Sequence, residues 1–342
     1  MTRVRPLADQ AVVLVGASAG IGRATAHELS RRGVRGLVLV GRDESTLAEL
    51  ARELAPTPVV WAAADVADID AAPRVAAKAA AEFGRLDAWV QLASVATYAT
   101  VEQTAYADLR RVVEVDLLGA MYGLKAAVPH VRAAGGGVLV SVTSVLGRRS
   151  VPLLSAYCAA KHGILGFTES LRLELSGSGV HVVDVLPASI NTPFFDNARS
   201  ASARHPRSVP PFYEPEVVAR AITEVLTSPV REVTVGGAGK GLEVLQRVSP
   251  ALTDSVLRAL RVSAWLTSRQ PDDPVDNLRT PTRDPHVRGR FGREAFARSR
   301  YTEQLGLHPW RARVLGAGVA TGAVAVVRRL PRRPVSAARR PS

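Results

Sequence analysis

The sequence is poor in the residues that build disulfide-bonded and metal-centred proteins. Its 342 residues include a single cysteine, Cys158, so no internal disulfide can form, and a reducing compartment fits. The seven histidines show no His-x-x-x-His spacing, and we therefore expect no metal site. No zinc-finger or other nucleic-acid motif occurs, which argues against a nucleic-acid partner.

Acidic residues are absent from the end of the chain. Residues 311–342 contain eight arginines and no Asp or Glu, whereas the whole chain has 44 Lys and Arg against 31 Asp and Glu. The net charge of +13 therefore falls to +5 over the first 310 residues. The basic excess belongs mostly to the tail and is weak evidence for a nucleic-acid-binding body.

No membrane-spanning or secretory segment is evident. The apolar stretch "VLGAGVATGAVAVV" at 314–327 would span about 21 Å as a helix, short of the roughly 30 Å of a bilayer core. Its flanking arginines suit peripheral attachment to anionic lipid, while packing on its own fold or on a sister subunit stays open. "MTRVRPLADQ" leads into a strand-like run without a signal peptide, so we expect a cytoplasmic protein, with membrane association through the tail as the open alternative.

Short apolar runs alternate with helical patterns over the first 235 residues. Several runs lack polar/apolar alternation, as expected for strands of a parallel sheet covered on both faces, and the pattern predicts an α/β fold. The predicted strands are 11–16, 36–41, 58–63, 86–92, 137–144, 180–187 and 231–237. We place a domain boundary after residue 237, with 238–342 as a C-terminal extension.

The extension has a different pattern from the body. Residues 242–266 predict one or two amphipathic helices interrupted at Pro250. Residues 270–290 are rich in Pro, Asp and Arg and predict a linker or surface loop.

A glycine-rich turn, "VVLVGASAGIGRATAHEL", follows the first strand and opens a helix. Gly16, Gly20 and Gly22 in this setting let the backbone approach a pyrophosphate at a helix N-terminus. The same residues match the Gly-x-Ser-x-Gly elbow of hydrolases, but only about ten residues precede this strand, too few for the sheet that such an enzyme needs. No Gly-Lys-Ser/Thr sequence follows, which disfavours a P-loop.

Two residues after later strands address the choice of nucleotide. Arg42, after Gly41, is suited to the 2′-phosphate of NADP, although Asp43 beside it weakens this interpretation, and Arg42 can also be a solvated loop arginine. Asp65 after the third strand can contact the adenine edge or simply cap a loop.

The stretch "SAYCAAKHG" places Tyr157 and Lys161 four residues apart, on one face of a helix. A neighbouring ammonium lowers the pKa of a phenol and makes it usable as an acid or base. Alone, the pattern also fits a surface tyrosine beside a lysine.

Together these motifs resemble the short-chain dehydrogenase/reductase family. "DV" at 65–66, "SVTSVLG" at 141–147, "YCAAK" at 157–161 and "PASINT" at 187–192 follow the glycine turn in the family's order and spacing, over residues 8–237. The resemblance implies a Rossmann-type, doubly wound parallel sheet of about seven strands. It also implies NAD(P)-dependent interconversion of an alcohol and a carbonyl, with NADP favoured by Arg42 and NAD still open.

The resemblance also implies roles for individual residues. Ser144 would bind the substrate oxygen, Tyr157 would be the acid/base, and Lys161 would lower its pKa and hold the nicotinamide ribose. The residues implied to bind cofactor are Gly16, Ser18, Ala19, Gly20, Ile21, Gly22, Arg42, Asp65, Val66, Ala93, Tyr157, Lys161, Pro187, Ile190 and Thr192.

Two departures from the family pattern touch this site. "QLAS" at 91–94 stands where Asn-Asn-Ala-Gly is common, and Asp116 replaces an asparagine linked to the lysine through water. We include Asp116 among the candidate catalytic residues. The departures leave open a catalytically weak protein used for binding or scaffolding.

The substrate side of the site is less defined. Four aromatic residues between Thr192 and Glu214 can line an apolar pocket or fasten the loop to the core: Phe194, Phe195, Phe212 and Tyr213. We favour an apolar alcohol or carbonyl substrate. The resemblance implies a homo-oligomer formed through the helices that hold 109–133 and 155–175.

Overall fold

The structure, a computed structural model, describes residues 4–201, 204–260, 262–267, 276–281 and 285–311. The apolar stretch 314–327 and the arginine-rich tail lie outside the described residues. Within them, none of the helices combines the length and the apolar character that crossing a membrane requires.

A seven-stranded sheet forms the centre of the molecule, and all its neighbouring strands are parallel. Its order is β10-β7-β6-β4-β1-β2-β3, which confirms the predicted doubly wound Rossmann-type fold. The strands are β1 (Ala11–Val15), β2 (Gly36–Gly41), β3 (Val59–Ala63), β4 (Ala88–Gln91), β5 (Thr97–Tyr98), β6 (Gly137–Val142), β7 (Val180–Pro187), β8 (Arg199–Ser200), β9 (Phe212–Tyr213), β10 (Glu232–Val235) and β11 (Ala295–Phe296). The four two-residue strands pair outside the central sheet.

Helices cover both faces of this sheet, so its inner strands are buried on both sides. Every residue of β1 is buried, which explains why the first apolar run shows no alternation. The helices are α1 (Gly20–Arg31), α2 (Glu44–Glu53), α3 (Ala71–Phe83), α4 (Tyr106–Val113), α5 (Gly119–Ala133), α6 (Ser155–Glu174), α7 (Phe194–Asn197), α8 (Pro215–Val225), α9 (Gly237–Val248) and α10 (Pro250–Ala259).

The strand order reverses between β1 and β4. From β1 the chain first builds β2 and β3 on one side and then returns to β4 on the other. Ligands of doubly wound sheets bind at such a reversal, at the carboxyl ends of the strands. The glycine turn after β1 and residues 92–95 after β4 meet at this edge.

The extension folds against the body. Its two amphipathic helices are confirmed, with the break at Pro250, although α9 begins at Gly237 rather than at residue 242. The expectation of a surface loop at 270–290 is wrong for part of the described chain, because Leu278 is fully buried. Leu278 packs among Val95, Val112 and Val115 of the body. No local sequence pattern predicts these contacts.

Candidate active site

The turn between β1 and α1 can be built only with glycine. Gly16 has φ +90°, and a Cβ there would lie 2.6 Å from the backbone nitrogen of Ala93. A Cβ at Gly22 would overlap the carbonyl oxygen of Gly16. The N-cap of α1, Ala19, makes no side-chain cap bond. The close approach of the turn to β4 thus leaves the first-turn amides of α1 to partners outside the helix, which fits a phosphate-binding turn.

A pair of arginines lies beyond this turn. Nη2 of Arg42 donates to the carbonyl oxygen of Asn277 at 2.8 Å, and Nη1 donates to that of Leu278 at 3.3 Å. Nε of Arg111 donates to the same Leu278 oxygen at 2.7 Å, and its guanidinium is paired with Asp65. Burial lowers the pKa of Arg42, and the charge of Arg111 adds to this effect. Two guanidinium groups are therefore held close together in a place suited to an anion.

Asp43 does not compete with Arg42 for this position. Its carboxylate is the N-cap of α2 and accepts from the backbone N–H of Thr46 at 2.9 Å and from the Ser45 hydroxyl at 2.6 Å. These hydrogen bonds lower the pKa of Asp43. Asp43, which weakened the sequence prediction that Arg42 binds a 2′-phosphate, is therefore the N-cap of α2.

The other end of the site combines the end of β6 with the start of α6. Ser144 follows β6 and caps a short helical turn, accepting from the N–H of Leu146 at 3.1 Å. Tyr157 and Lys161 lie one turn apart on α6, with Nζ of Lys161 5.2 Å from the centre of the Tyr157 ring. Ser144 and Lys161 are buried.

Burial raises the pKa of Tyr157, and the charge of Asp116 raises it further, so the lowered pKa that the sequence predicted for this phenol beside Lys161 is wrong for the described structure. Hydrogen bonding to the hydroxyls of Ser144 and Ser94 acts in the opposite direction. The phenol is therefore protonated at neutral pH and surrounded by hydroxyl groups, as a proton donor to a bound carbonyl requires.

Asp116 lies in a π turn, Glu114–Leu118, between α4 and α5. Its Oδ2 is 3.5 Å from Nζ of Lys161 and accepts from the Ser94 hydroxyl at 2.5 Å, while Oδ1 accepts from the N–H of Val95 at 2.8 Å. Burial raises the pKa of Asp116, whereas Lys161, Ser94 and Val95 lower it. Asp116 therefore contacts the lysine directly.

One cavity of about 430 Å³ joins the two ends of the site. Apart from Asp116, every residue that the sequence proposed lies in its wall: Gly16, Ser18, Ala19, Gly20, Ile21, Gly22, Arg42, Asp65, Val66, Ala93, Ser144, Tyr157, Lys161, Pro187, Ile190 and Thr192. Leu92, Ala93 and Ser94 of the unusual "QLAS" segment also line it. Gln91 does not; it is buried and accepts from Nε1 of Trp89 at 3.1 Å.

The four aromatic residues after β7 divide between the two roles that the sequence left open, lining a pocket and fastening the loop to the core. Phe194 and Phe195 line the cavity, and the Phe194 ring lies 5.8 Å from that of Tyr157. Phe212 is fully buried and stacks on Phe291 at 4.5 Å, and Tyr213 packs on Phe296. The first two residues face the site, and the last two fasten the loop.

Sequence reasoning missed several residues of the site, among them Arg111 and Asn277. Arg111 lies on α4 without a motif around it, and Asn277 belongs to the stretch interpreted as a surface loop. The only available signal was an arginine one and a half helical turns before Asp116, which no general rule singles out. Among the described residues, no group of three or more His, Cys, Asp or Glu side chains is arranged to hold a metal.

Comparison with known proteins identifies the family to which the chain belongs. A family model described as short chain dehydrogenase matches residues 10–203. The chain belongs to the short-chain dehydrogenase family.

Relatives of this short-chain dehydrogenase are oxidoreductases. It is 34% identical over 280 residues to the uncharacterized oxidoreductase YxnA of Bacillus subtilis, covering 80% of this chain and 78% of that protein. It is 36% identical over 237 residues to cis-4-hydroxycyclohexanecarboxylate dehydrogenase of Sinomonas cyclohexanicum, covering 67% and 93%.

Among solved structures, an alcohol dehydrogenase from Thermococcus sibiricus complexed with 5-hydroxy-NADP is similar, with a TM-score of 0.59 and 25% identity. The match covers 66% of this chain and 95% of that one. The short-chain dehydrogenase described here is therefore an NAD(P)-dependent oxidoreductase.

Proposed function

We propose that this enzyme is an NADP(H)-preferring dehydrogenase/reductase that interconverts an apolar alcohol and its carbonyl, with Tyr157 as the acid/base. The observation that carries this proposal is the single cavity running from the glycine turn and Arg42, past Ser144, Tyr157 and Lys161, to an apolar wall. The glycines that let the backbone approach fit a dinucleotide, as does the start of α1, which no side chain caps and where the N–H of Gly20 donates to the carbonyl oxygen of His286. A bound nicotinamide nucleotide supplies the hydride in reduction and accepts it in oxidation.

Tyr157 moves the proton. In reduction, its protonated hydroxyl donates to the substrate oxygen, and Ser144 holds that oxygen by a hydrogen bond. In oxidation, the phenolate removes the proton of the alcohol, so this direction requires a pH high enough to ionise a tyrosine whose pKa is raised. The site therefore favours carbonyl reduction near neutral pH.

Lys161 acts beside the phenol as a fixed cation. Its ammonium stabilises the phenolate and is placed to hold ribose hydroxyls, while Asp116 at 3.5 Å keeps it in position. The carboxylate limits the effect of the lysine, because its charge opposes the phenolate.

Arg42 supports a preference for NADP. Its guanidinium bonds to two backbone carbonyl oxygens, and in the described part of the chain no carboxylate forms an ion pair with it. Asp43, which would serve NAD by binding ribose hydroxyls, is committed to α2. A 2′-phosphate would supply the missing negative charge.

The substrate end of the cavity supports an apolar and neutral substrate. Ser189, Asn197 and Ser208 are polar members of its wall. The rest is mostly aliphatic, proline and aromatic: Val145, Leu146, Val151, Leu154, Phe194, Phe195, Val209, Pro210, Pro211, Leu242, Val256, Leu257, Leu260 and Trp265. The cations lining the described cavity are Arg42 and Arg111 at the cofactor end and Lys161 beside Tyr157. A carboxylate substrate, such as the one in the name of the Sinomonas relative, would find no cation of its own here.

Replacement of Tyr157 tests the catalytic role. Tyr157→Phe removes the proton donor, and we expect turnover of carbonyl substrates with NADPH to fall by at least about a hundredfold while NADPH binding is retained. Tyr106→Phe, at a 93% exposed position, is the control. Equal rates for Tyr157→Phe and wild type over a broad substrate panel, with cofactor bound, would mean that the protein is a binding or scaffold protein and not an enzyme.

Replacement of Arg42 tests the cofactor preference. Arg42→Ala should weaken NADPH binding by about 10- to 100-fold and NADH binding much less, because one charge-assisted hydrogen bond is worth roughly 1.5–3 kcal/mol. Arg52→Ala, an exposed arginine on α2, is the matched control. Fluorescence titration of both reduced cofactors measures this; equal affinity of the wild type for both contradicts the preference.

A further inference from the structure

Two described segments of the extension, residues 276–281 and 285–292, lie against the cofactor end of the cavity; we call them the strap. The strap bonds to groups that the proposed function gives to the cofactor. The carbonyl oxygens of Asn277 and Leu278 accept from Arg42, and that of His286 accepts from the N–H of Gly20 at 3.0 Å. These contacts place the strap at both the 2′-phosphate end and the pyrophosphate end of the proposed site.

The strap is anchored on the opposite walls of the cleft. At one wall, Leu278 is fully buried among Val95, Val112 and Val115, and Arg279 pairs with Asp108 at 3.0 Å. At the other wall, the N–H of Gly289 donates to the carbonyl oxygen of Asn191 at 3.2 Å.

Further contacts hold the second segment in place. The N–H of Phe291 donates to Oδ1 of Asn191 at 2.9 Å, and Arg288 pairs with Glu214 at 3.0 Å and with Glu216 at 2.6 Å. A ligand as long as a dinucleotide has to pass between these anchors.

The first segment of the strap contributes to the cavity wall through Asn277, whereas the described residues of the second segment lie outside that wall. Asn277 and Arg42 both line the cavity that the glycine turn lines. The strap oxygens take two N–H groups of Arg42, and a guanidinium has five, so donors remain for a phosphate.

Asn277 adds a group that a cofactor can use. Its side chain is buried, and its Oδ1 has no hydrogen-bond partner among the described residues. A buried acceptor without a donor is costly, and a ribose hydroxyl or an adenine amino group would satisfy it.

We propose that the strap is part of the cofactor site: it opens to admit the dinucleotide, closes over it and slows its release. This inference rests on the proposed binding of a dinucleotide in the cleft. Arg42 and the Asn277 acceptor can serve the cofactor and the strap together, whereas the His286 oxygen has to release the Gly20 N–H when a pyrophosphate binds. We expect the closed strap to act on the dissociation rate more than on the association rate.

Release kinetics test the proposal. NADPH bound to the full-length protein is displaced by excess NADP⁺, and the loss of its fluorescence gives the dissociation rate. We expect Leu278→Ala and Arg279→Ala each to raise that rate, the first at least about tenfold, with a smaller change in association. Leu252→Ala, an exposed leucine of the same extension on α10, should release NADPH at the wild-type rate.

Proteolysis gives a second readout that does not depend on catalysis. Trypsin can cut after Arg279, Arg288 and Arg290 of the strap, and bound NADPH should slow these cuts relative to cuts elsewhere in the chain. Wild-type release rates in both variants, tighter NADPH binding by them, or faster cutting in the presence of NADPH would each overturn the proposal.

The outcomes separate the strap from the proposed function. If Leu278→Ala does not fold, Arg279→Ala carries the test, because its side chain is 45% exposed and lies outside the core. Equal affinity for NADPH and NADH would remove the NADP preference but leave the strap testable with either. Binding of neither would refute both, whereas tight binding without turnover would refute only the catalytic role.

Discussion

At the scale of single residues, Asp116 sets the electrostatics of its neighbours. Three donors face its carboxylate: the Ser94 hydroxyl, the Val95 N–H and the Lys161 ammonium. Such an arrangement stabilises the ionised form against the opposing effect of burial. The same negative charge raises the pKa of Tyr157, so the residue that positions the lysine also restrains the phenolate.

Asp116→Asn should therefore shift the pH–rate profile of alcohol oxidation toward lower pH. Without the carboxylate charge, the pKa of Tyr157 falls toward its ordinary value, and the phenolate forms at lower pH. The amide keeps the size of the side chain and much of its hydrogen bonding. The profile is measured with NADP⁺ between neutral and alkaline pH, and Glu114→Gln on the same π turn serves as control. An unshifted profile would mean that Asp116 carries no charge in the working enzyme.

The site residues that could be predicted from sequence are those that belong to a short motif. Gly16, Gly22, Ser144, Tyr157 and Lys161 carry their spacing in the sequence, and the structure brings them to one cavity. Their catalytic and binding roles stay predictions. Arg111 was not predictable, because its partners, Asp65 and Leu278, are 46 and 167 residues away.

At the scale of elements, α9 and α10 form part of the cavity wall. Leu257 is buried and lines the cavity, whereas Val256 and Leu260 line it while remaining 41% and 40% exposed. These two residues therefore lie where the cavity meets solvent. We therefore expect the extension to contribute to substrate selection.

Narrowing this wall should discriminate against large substrates. Leu257→Trp fills space near the apolar end, and we expect kcat/KM for a bulky alicyclic ketone to fall at least about tenfold more than for a small ketone. Leu252→Trp, which does not line the described cavity, provides the control. Equal losses for both ketones would place the substrate elsewhere.

The elements used for the predicted homo-oligomer expose apolar side chains. Tyr106 and Leu109 on α4 and Leu173 on α6 are 93%, 42% and 76% exposed. The helices predicted to associate therefore carry surface that a sister subunit could cover. The assembly, the domain boundary after residue 237 and the membrane contact of the tail stay predictions.

At the scale of the whole molecule, Asp184 on β7 couples folding stability to pH. It accepts from Thr168 at 3.0 Å and from Arg172 at 2.8 Å, while Oδ1 has no partner among the described residues. Burial is the largest influence and raises the pKa of Asp184 to about 6 despite Arg172. The native state then holds this proton more tightly than the unfolded chain does.

Between about pH 4 and pH 6 this carboxyl should make the molecule less stable as pH rises. Native Asp184 binds more proton than unfolded Asp184 over this window, so the free energy of unfolding falls by about 3 kcal/mol and stays lower above pH 6. The unfolding free energy of the wild type minus that of Asp184→Asn should therefore decrease by about 3 kcal/mol from pH 4 to pH 7.

Urea denaturation at several pH values measures this difference. Asp70→Asn, at an exposed position, is the control for losing one carboxylate. A difference between wild type and Asp184→Asn that is independent of pH contradicts the assignment.

The sheet was predictable from sequence and the strap was not, for one physical reason. A strand such as β1 is a continuous apolar run because both faces of the sheet are covered, so its burial can be predicted from the local sequence. The strap has no periodicity, and Leu278 is one apolar residue among polar and charged ones. Its burial depends on Val95, Val112 and Val115, which lie far away in sequence.

The separation between Arg42 and the strap also fixes an order of events when the chain is first made. The carbonyl of Asn277 that Arg42 binds lies 235 residues later in the chain. At about 5–20 residues per second, synthesis delivers the glycine turn, Arg42 and Tyr157 well before the strap emerges. The cofactor end of the cleft, from the glycine turn to Thr192, is therefore synthesised before the strap that lies against it. If the strap closes as proposed, the first cofactor molecule enters a newly synthesised protein without displacing the strap, whereas every later exchange has to open it.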